Sequence, residues 1–247
     1  MFYSRLKWRS FQPYEHYQAQ AIASRIDGVQ VLMEKGRSPK SMNNLLQNID
    51  IVCFDLFGTL IEITDRQRPL ARILRKLPRG KVEAFRHLAM TSDMSIAAIN
   101  EQIMAGASIA ELIAAQTAIS HEVVSVRLRP GIAEMLASLS VPYGICSNLS
   151  VDYVPALKNF PEITPAFQIL SCFAGSQKPD HQIYDMVVHA SNSPVERILF
   201  TGDTFGADLE GPRRAGMKAM PIDDFMAQVS RLMTSRRHTQ GGSATRP

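Results

Sequence analysis

Residues 51–60 read Ile51-Val52-Cys53-Phe54-Asp55-Leu56-Phe57-Gly58-Thr59-Leu60. An apolar run delivers a single carboxylate, Asp55, into a turn that contains Gly58, and Thr59 follows at the fourth position. Continuous apolar composition is what a parallel strand requires, because helices on both faces of its sheet leave no wet side to alternate with. Open α/β sheets gather their ligands beyond the carboxyl ends of the strands. The stretch therefore predicts a buried strand that presents Asp55 to a pocket.

From Pro130 onward, short apolar runs alternate with helical patterns. Helices are predicted over 131–140, 151–158, 181–191 and 224–234, with one more beginning near Asp208 that tolerates Pro212 in its first turn. Strands are predicted over 143–147, 168–172, 197–202 and 218–221. Such alternation specifies an α/β protein with a doubly wound parallel sheet. Between the opening strand and Pro130 the pattern changes. Residues 64–127 are alanine-rich, and the apolar positions in IAAINEQIMAG and SIAELIAAQTAI recur every three or four residues, a helical period broken at Pro78, Gly80 and Gly106. That length exceeds a simple crossover, so it reads as an inserted α-helical cap. The division is then an extension over 1–41 with a short amphipathic pattern at 18–34, a core over 42–63 and 128–235, the cap over 64–127, and a disordered tail over 236–247.

Composition narrows the function classes. The 247 residues are 45% hydrophobic, enough for a substantial core, and the net charge of +4 arises largely at the two ends, with no long basic helix to grip nucleic acid. No apolar run approaches the roughly 18 to 20 residues of a membrane span, and the amino terminus has no secretory apolar stretch, which points to a soluble cytoplasmic protein. Cys53, Cys146 and Cys172 fall in predicted strands without metal-ligand spacing, and they read as buried inert thiols of a reducing compartment. The histidines likewise show no ligand spacing.

The strand ends carry the chemistry: Asp55 with Thr59, Ser147 with Asn148, the loop Lys178-Pro179-Asp180, and Asp203 with Asp208. Three carboxylates at one rim repel unless a cation or a proton intervenes. Mg²⁺ meets that need, since it prefers oxygen ligands and keeps positions free for water and phosphate. Lys178 supplies a positive charge for a substrate oxyanion, and Ser147 and the backbone N–H groups near Phe57 to Thr59 supply donors. A phosphoryl group is the ligand this set suits. In the cap, Arg66 or Arg68 is the candidate for a further anion contact.

The ordered set Asp55-Leu56-Phe57-Gly58-Thr59, Ser147-Asn148, Lys178-Pro179-Asp180 and Gly202-Asp203-Thr204 with Asp208 resembles the four motifs of the haloacid dehalogenase (HAD) superfamily. The insert between the first two motifs is similar to that superfamily's helical C1-type cap. The resemblance implies that Asp55 is a nucleophile forming a covalent aspartyl intermediate and that Ser147 and Lys178 bind the transferring group. It also implies that Gly58, Thr59, Asn148 and Phe57 contact substrate. Mg²⁺ would be held by Asp55, Asp203, Asp208 and the main-chain carbonyl of Phe57. The implied substrate is a small molecule, a phosphate monoester or acyl phosphate, with no nucleic acid or membrane partner.

One position departs from the pattern. Family phosphatases usually carry a second aspartate two residues after the nucleophile as general acid and base, and Phe57 stands there. General acid–base catalysis contributes roughly 10² to 10⁴-fold. Three readings follow: a Mg²⁺-dependent phosphohydrolase in which the missing acid's role passes to a cap residue, to water or to the substrate itself, a 2-haloacid dehalogenase, whose halide leaves unprotonated and without metal, and a weakly catalytic ligand- or protein-binding relative.

Overall fold

The computed structural model describes residues 46–240, with side chains through 232. The extension over 1–41 and its amphipathic pattern lie outside the described residues.

The chain enters through β1 (Ile51–Phe54) and, after the turn at Gly58, forms β2 (Ile61–Ile63). The central strand thus stops at Phe54, and the apolar residues beyond the turn belong to a separate hairpin. In it β2 pairs antiparallel with β3 (Val126–Leu128), in the register Ile61 to Leu128 and Ile63 to Val126. Between the hairpin strands lie α1 (Ala71–Lys76), α2 (Arg79–Thr91), α3 (Ile96–Gln102) and α4 (Ile109–Ser125). Their starts follow from local chemistry. The Ser95 hydroxyl accepts from the Ala98 N–H, and Ser108 with Glu111 forms a reciprocal capping box at α4. Ile73, Phe85, Ala89, Ile96, Ile99, Ala115 and Ile119 give this helical lobe a core of its own.

After β3 come α5 (Ile132–Ser138), β4 (Tyr143–Ser147) and a 3₁₀ segment at Val151–Asn159. Pro155 lies inside that segment and has no N–H to offer an α ladder, which accounts for 3₁₀ turns where an α-helix was expected. Next are β5 (Gln168–Leu170), α6 (Ser171–Ala174) and α7 (His181–Ser191). β5 is shorter than its predicted 168–172, because its partner β4 ends opposite Leu170 and the Ser171 hydroxyl accepts from the Leu149 N–H at 2.9 Å. Cys172 is consequently helical rather than in a strand, though still buried. β6 (Ile198–Gly202) leads into a π turn at Phe205–Glu210, followed by α8 (Gly211–Arg214), β7 (Lys218–Pro221) and α9 (Ile222–Gln240). α9 continues past residue 234, so the first residues of the tail expected to be disordered are helical.

The five core strands are all parallel, in the order β5-β4-β1-β6-β7. β1 is central, and its alternation decides what packs where. Val52 and Phe54 face one layer, in which the Phe54 ring meets Tyr143 and Phe225 edge-on at 5.8 and 5.6 Å. Ile51 and Cys53 face the other, with Ile183, Tyr184 and Phe200. All three cysteines are free and buried, and burial pushes the Cys146 thiol up to about 12, so little thiolate forms near neutral pH.

On β4, Gly144 allows the Phe167 ring to lie directly on the backbone, where an added Cβ would stand 2.2 Å from Cζ. Gly144→Ala is expected to lower stability by about 1–3 kcal/mol through overpacking. Urea unfolding should show an earlier midpoint at unchanged slope, and an unmoved midpoint would mean that Phe167 gives way freely.

Candidate active site

Asp55 follows the last residue of β1, and its own N–H donates to the Thr201 carbonyl of β6 at 2.9 Å, which fixes the carboxylate at the sheet's rim. Its two oxygens are held unequally. Oδ1 accepts from Ser147 Oγ at 2.9 Å and from Lys178 Nζ at 2.8 Å, whereas Oδ2 accepts only the longer bond from Thr59 Oγ1, at 3.1 Å. Ser147 ends β4, the neighbour of β1 on one side, and Asp203 follows β6, its neighbour on the other. The strand order thus converts residues more than ninety positions apart into one cluster.

Lys178 is 4% exposed, and its ammonium donates to Asp55 and also to Asp208 Oδ1 at 2.6 Å. Burial alone would lower the pKa of this lysine. The carboxylates of Asp55 and Asp208 outweigh burial and hold it above the ordinary lysine value, so the group stays charged. Asp208, 1% exposed, uses its second oxygen to accept from the Thr204 N–H at 2.9 Å. Burial pushes Asp208 up from the usual carboxylate range against the pull of Lys178.

Asp203 is exposed and takes a hydrogen bond from its neighbour Thr204. Its carboxylate lies against the Gly58 backbone: a Cβ there would stand 2.2 Å from Oδ2, and the Gly58 φ of +88° is itself one that side chains resist. Carboxylate oxygens of Asp55, Asp203 and Asp208 all lie within 4.8 Å of one another. Three carboxylates around one ammonium leave a negative, all-oxygen donor set, which fits a hard divalent cation. All three carboxylates keep lone pairs for such an ion, Asp203 the most, since it accepts one bond where Asp208 accepts two and Asp55 three.

The remaining predicted residues are placed as follows. Asn148 grips the Lys178 backbone in both directions at 2.8 Å, so its side chain orders the lysine loop instead of facing a ligand. The Gly58 N–H donates to the Ile61 carbonyl at 2.7 Å and the Thr59 N–H to Leu56 at 3.3 Å, which narrows the expected backbone donors to Phe57. The Phe57 ring packs edge-on against Tyr153 with centroids 6.0 Å apart. Arg66 and Arg68 are both exposed on the stretch entering the cap.

Two features had no signal in the sequence. Arg129 Nη1 donates to the Gly58 and Thr59 carbonyls at 2.8 and 3.2 Å, and Nη2 to Asp223 at 2.8 Å, clamping the turn that follows Asp55. Glu122, 4% exposed near the end of α4, accepts the N–H groups of Gln67 and Arg68 at 2.7 and 3.1 Å as well as the Tyr153 hydroxyl. Both sets join residues distant in sequence, beyond the reach of any local pattern.

Residues 49–216 match the family model for haloacid dehalogenase-like hydrolases. The chain belongs to that family. Among curated proteins none matches it by sequence. Of solved structures, a HAD family enzyme from Bacteroides thetaiotaomicron aligns at TM-score 0.54 and 16% identity, covering 70% of this chain and 93% of that one. The wild-type form of that enzyme, in complex with magnesium and inorganic phosphate, gives TM-score 0.51 and 17% identity over the same shares, 70% and 93%. A 2-haloacid dehalogenase from Pseudomonas syringae pv. Tomato DC3000 aligns at 0.46 and 19%, covering 69% of this chain and 85% of that one. At such identities the likeness is one of fold, and the HAD-like Rossmann core is common to this chain and its neighbours.

Lys178→Met removes the only ammonium in contact with two buried carboxylates, and breaking a buried pair in this way costs about 3–5 kcal/mol. Without the lysine, burial of Asp208 is no longer opposed by an ammonium, and its folded-state pKa rises further above its unfolded value. Stability is then retained at pH below the unfolded value and lost as pH climbs through the raised one. The deficit against wild type should therefore be larger at pH 8 than at pH 4.5 in urea titrations, whereas a pH-independent deficit would contradict the ion-pair account.

Proposed function

We propose that this HAD-family hydrolase is a Mg²⁺-dependent phosphohydrolase acting on a small phosphate monoester or acyl phosphate, with Asp55 as nucleophile. The observation that carries the reading is Asp203, an exposed carboxylate near Asp55 and Asp208 that forms no ion pair among the described residues. The magnesium and phosphate bound by the Bacteroides enzyme support it as well.

Asp55, Asp203, Asp208 and the Phe57 carbonyl would hold the ion, which would supply positive charge against the phosphoryl oxygens. Asp55 Oδ2, the less encumbered oxygen, forms the bond to phosphorus while the bond from phosphorus to the leaving oxygen breaks and its electron pair departs with that oxygen. Lys178 keeps Asp55 ionised for the attack, and Asp208 holds Lys178 in place. Water then bonds to phosphorus, the link to Asp55 breaks, and phosphate leaves carrying the proton lost by the water. The helical cap limits bulk water during both steps. A reducing cytoplasm suits the three free buried thiols.

Phe57 favours a second reading, a 2-haloacid dehalogenase, because halide needs no proton. Incubation with 4-nitrophenyl phosphate and Mg²⁺, alongside 2-chloropropionate, separates the two. Metal-dependent phosphate release abolished by Asp55→Asn is expected; chloride release without metal would select the dehalogenase, and no turnover of either would leave a binding protein.

Phe57→Asp restores a carboxyl where the leaving group lacks an acid. It should raise kcat on alkyl phosphates by about tenfold or more, within the roughly 10² to 10⁴-fold span of general acid catalysis, and raise kcat on aryl phosphates less. Equal or lower activity on both would refute the assignment of Phe57 as the missing acid's position.

A further inference from the structure

Between cap and core lies a cavity of about 280 Å³ walled by Leu70, Ala89, Met90, Ile96 and Ile119, with Tyr153 contributed by the core. Tyr153 joins it to the reaction centre, since its ring packs on Phe57, two residues from the nucleophile. Cavities of about 150 Å³ hold a benzene molecule, so this one has room for a ring with a substituent.

The walls lack a proton donor suited to an alkoxide. The Tyr153 hydroxyl donates to Glu122 and is thereby turned to that carboxylate. The Ser150 hydroxyl donates to Asp152 at 3.2 Å, and Asp152 itself is not part of the lining. Arg68, also in the lining, brings a guanidinium. Its backbone sits in the left-handed region, φ 51°, with its N–H taken by Glu122, and its guanidinium joins no ion pair among the described residues. The cavity therefore offers apolar contact and one fixed positive charge, but no acid.

From this we infer that the cavity binds the leaving group of the phosphohydrolase reaction, on which the inference rests, and that the leaving group is a small apolar phenol or enol departing as its oxyanion. An sp²-carbon oxyanion delocalises the electron pair left by the breaking P–O bond. Arg68 in the same cavity favours that charge, and a proton is taken up from solvent only after release. A saturated alcohol of equal size fits the walls but cannot leave without an acid.

Rates for 4-nitrophenyl, phenyl and cyclohexyl phosphate test this, with acetyl phosphate as a small substrate that leaves the cavity empty. kcat/KM is expected to fall about tenfold or more from the nitrophenyl to the phenyl ester and about 100-fold or more from phenyl to cyclohexyl, on the scale general acid catalysis would otherwise supply. Met90→Trp, which fills the cavity, should raise KM for phenyl phosphate by at least about tenfold more than it raises KM for acetyl phosphate. Ala71→Leu, at an exposed lining position, should act in the same direction if the tryptophan variant does not fold. Equal rates for phenyl and cyclohexyl phosphate, or variants that affect acetyl and phenyl phosphate alike, would overturn the inference while leaving the phosphohydrolase reading intact. No phosphate release from any of the four, acetyl phosphate included, would overturn both.

Discussion

A single buried ammonium holds the rim of this sheet together. Lys178 reaches Asp55 from one side and Asp208 from the other, and all three groups are almost wholly withdrawn from water. Desolvating charges is expensive, and only mutual contact makes it tolerable. Much of the local architecture serves that contact. Asn148 orders the lysine's backbone, the Thr204 N–H occupies the far oxygen of Asp208, and Ser147 shares Asp55 Oδ1 with the ammonium. One Asp55 oxygen is immobilised as a result and the other is left for chemistry.

Charge balance also explains the division of labour among the acids. Asp208 is buried and pairs with the lysine. Asp203 is exposed and keeps free oxygen capacity beside the Gly58 backbone. The sequence presents them as a matched pair five residues apart, whereas the π turn over Phe205–Glu210 turns one inward and leaves the other at the surface.

The parallel core and the ends of its strands were legible because their signals are local. Ile51 to Phe54 is apolar without interruption, and Asp55, Ser147 and Asp203 each stand where a run stops. Lys178 was legible only through its motif, since nothing nearby says that its side chain turns inward. Other features were out of reach for physical reasons. The β2–β3 hairpin pairs segments more than sixty residues apart, each just three residues long, too short to show a period. The resemblance marks Asn148 as a substrate contact, and only the position of the lysine loop reveals what its amide holds. The end of β5 depended on where β4 stopped, which no inspection of 168–172 discloses.

Arg129 gives this arrangement a mechanical side. It follows β3 directly, its N–H donates to the Leu60 carbonyl at 3.0 Å, and its guanidinium holds the carbonyls of Gly58 and Thr59. β3 is also the strand by which the chain returns from the lobe, and Ser125 beside it ties down the outgoing stretch at Thr64 and Asp65. The two tethers of the lobe are thus fastened to each other and to the turn at Gly58 and Thr59. Through Arg129 a load on either tether would pass to the backbone that follows Asp55.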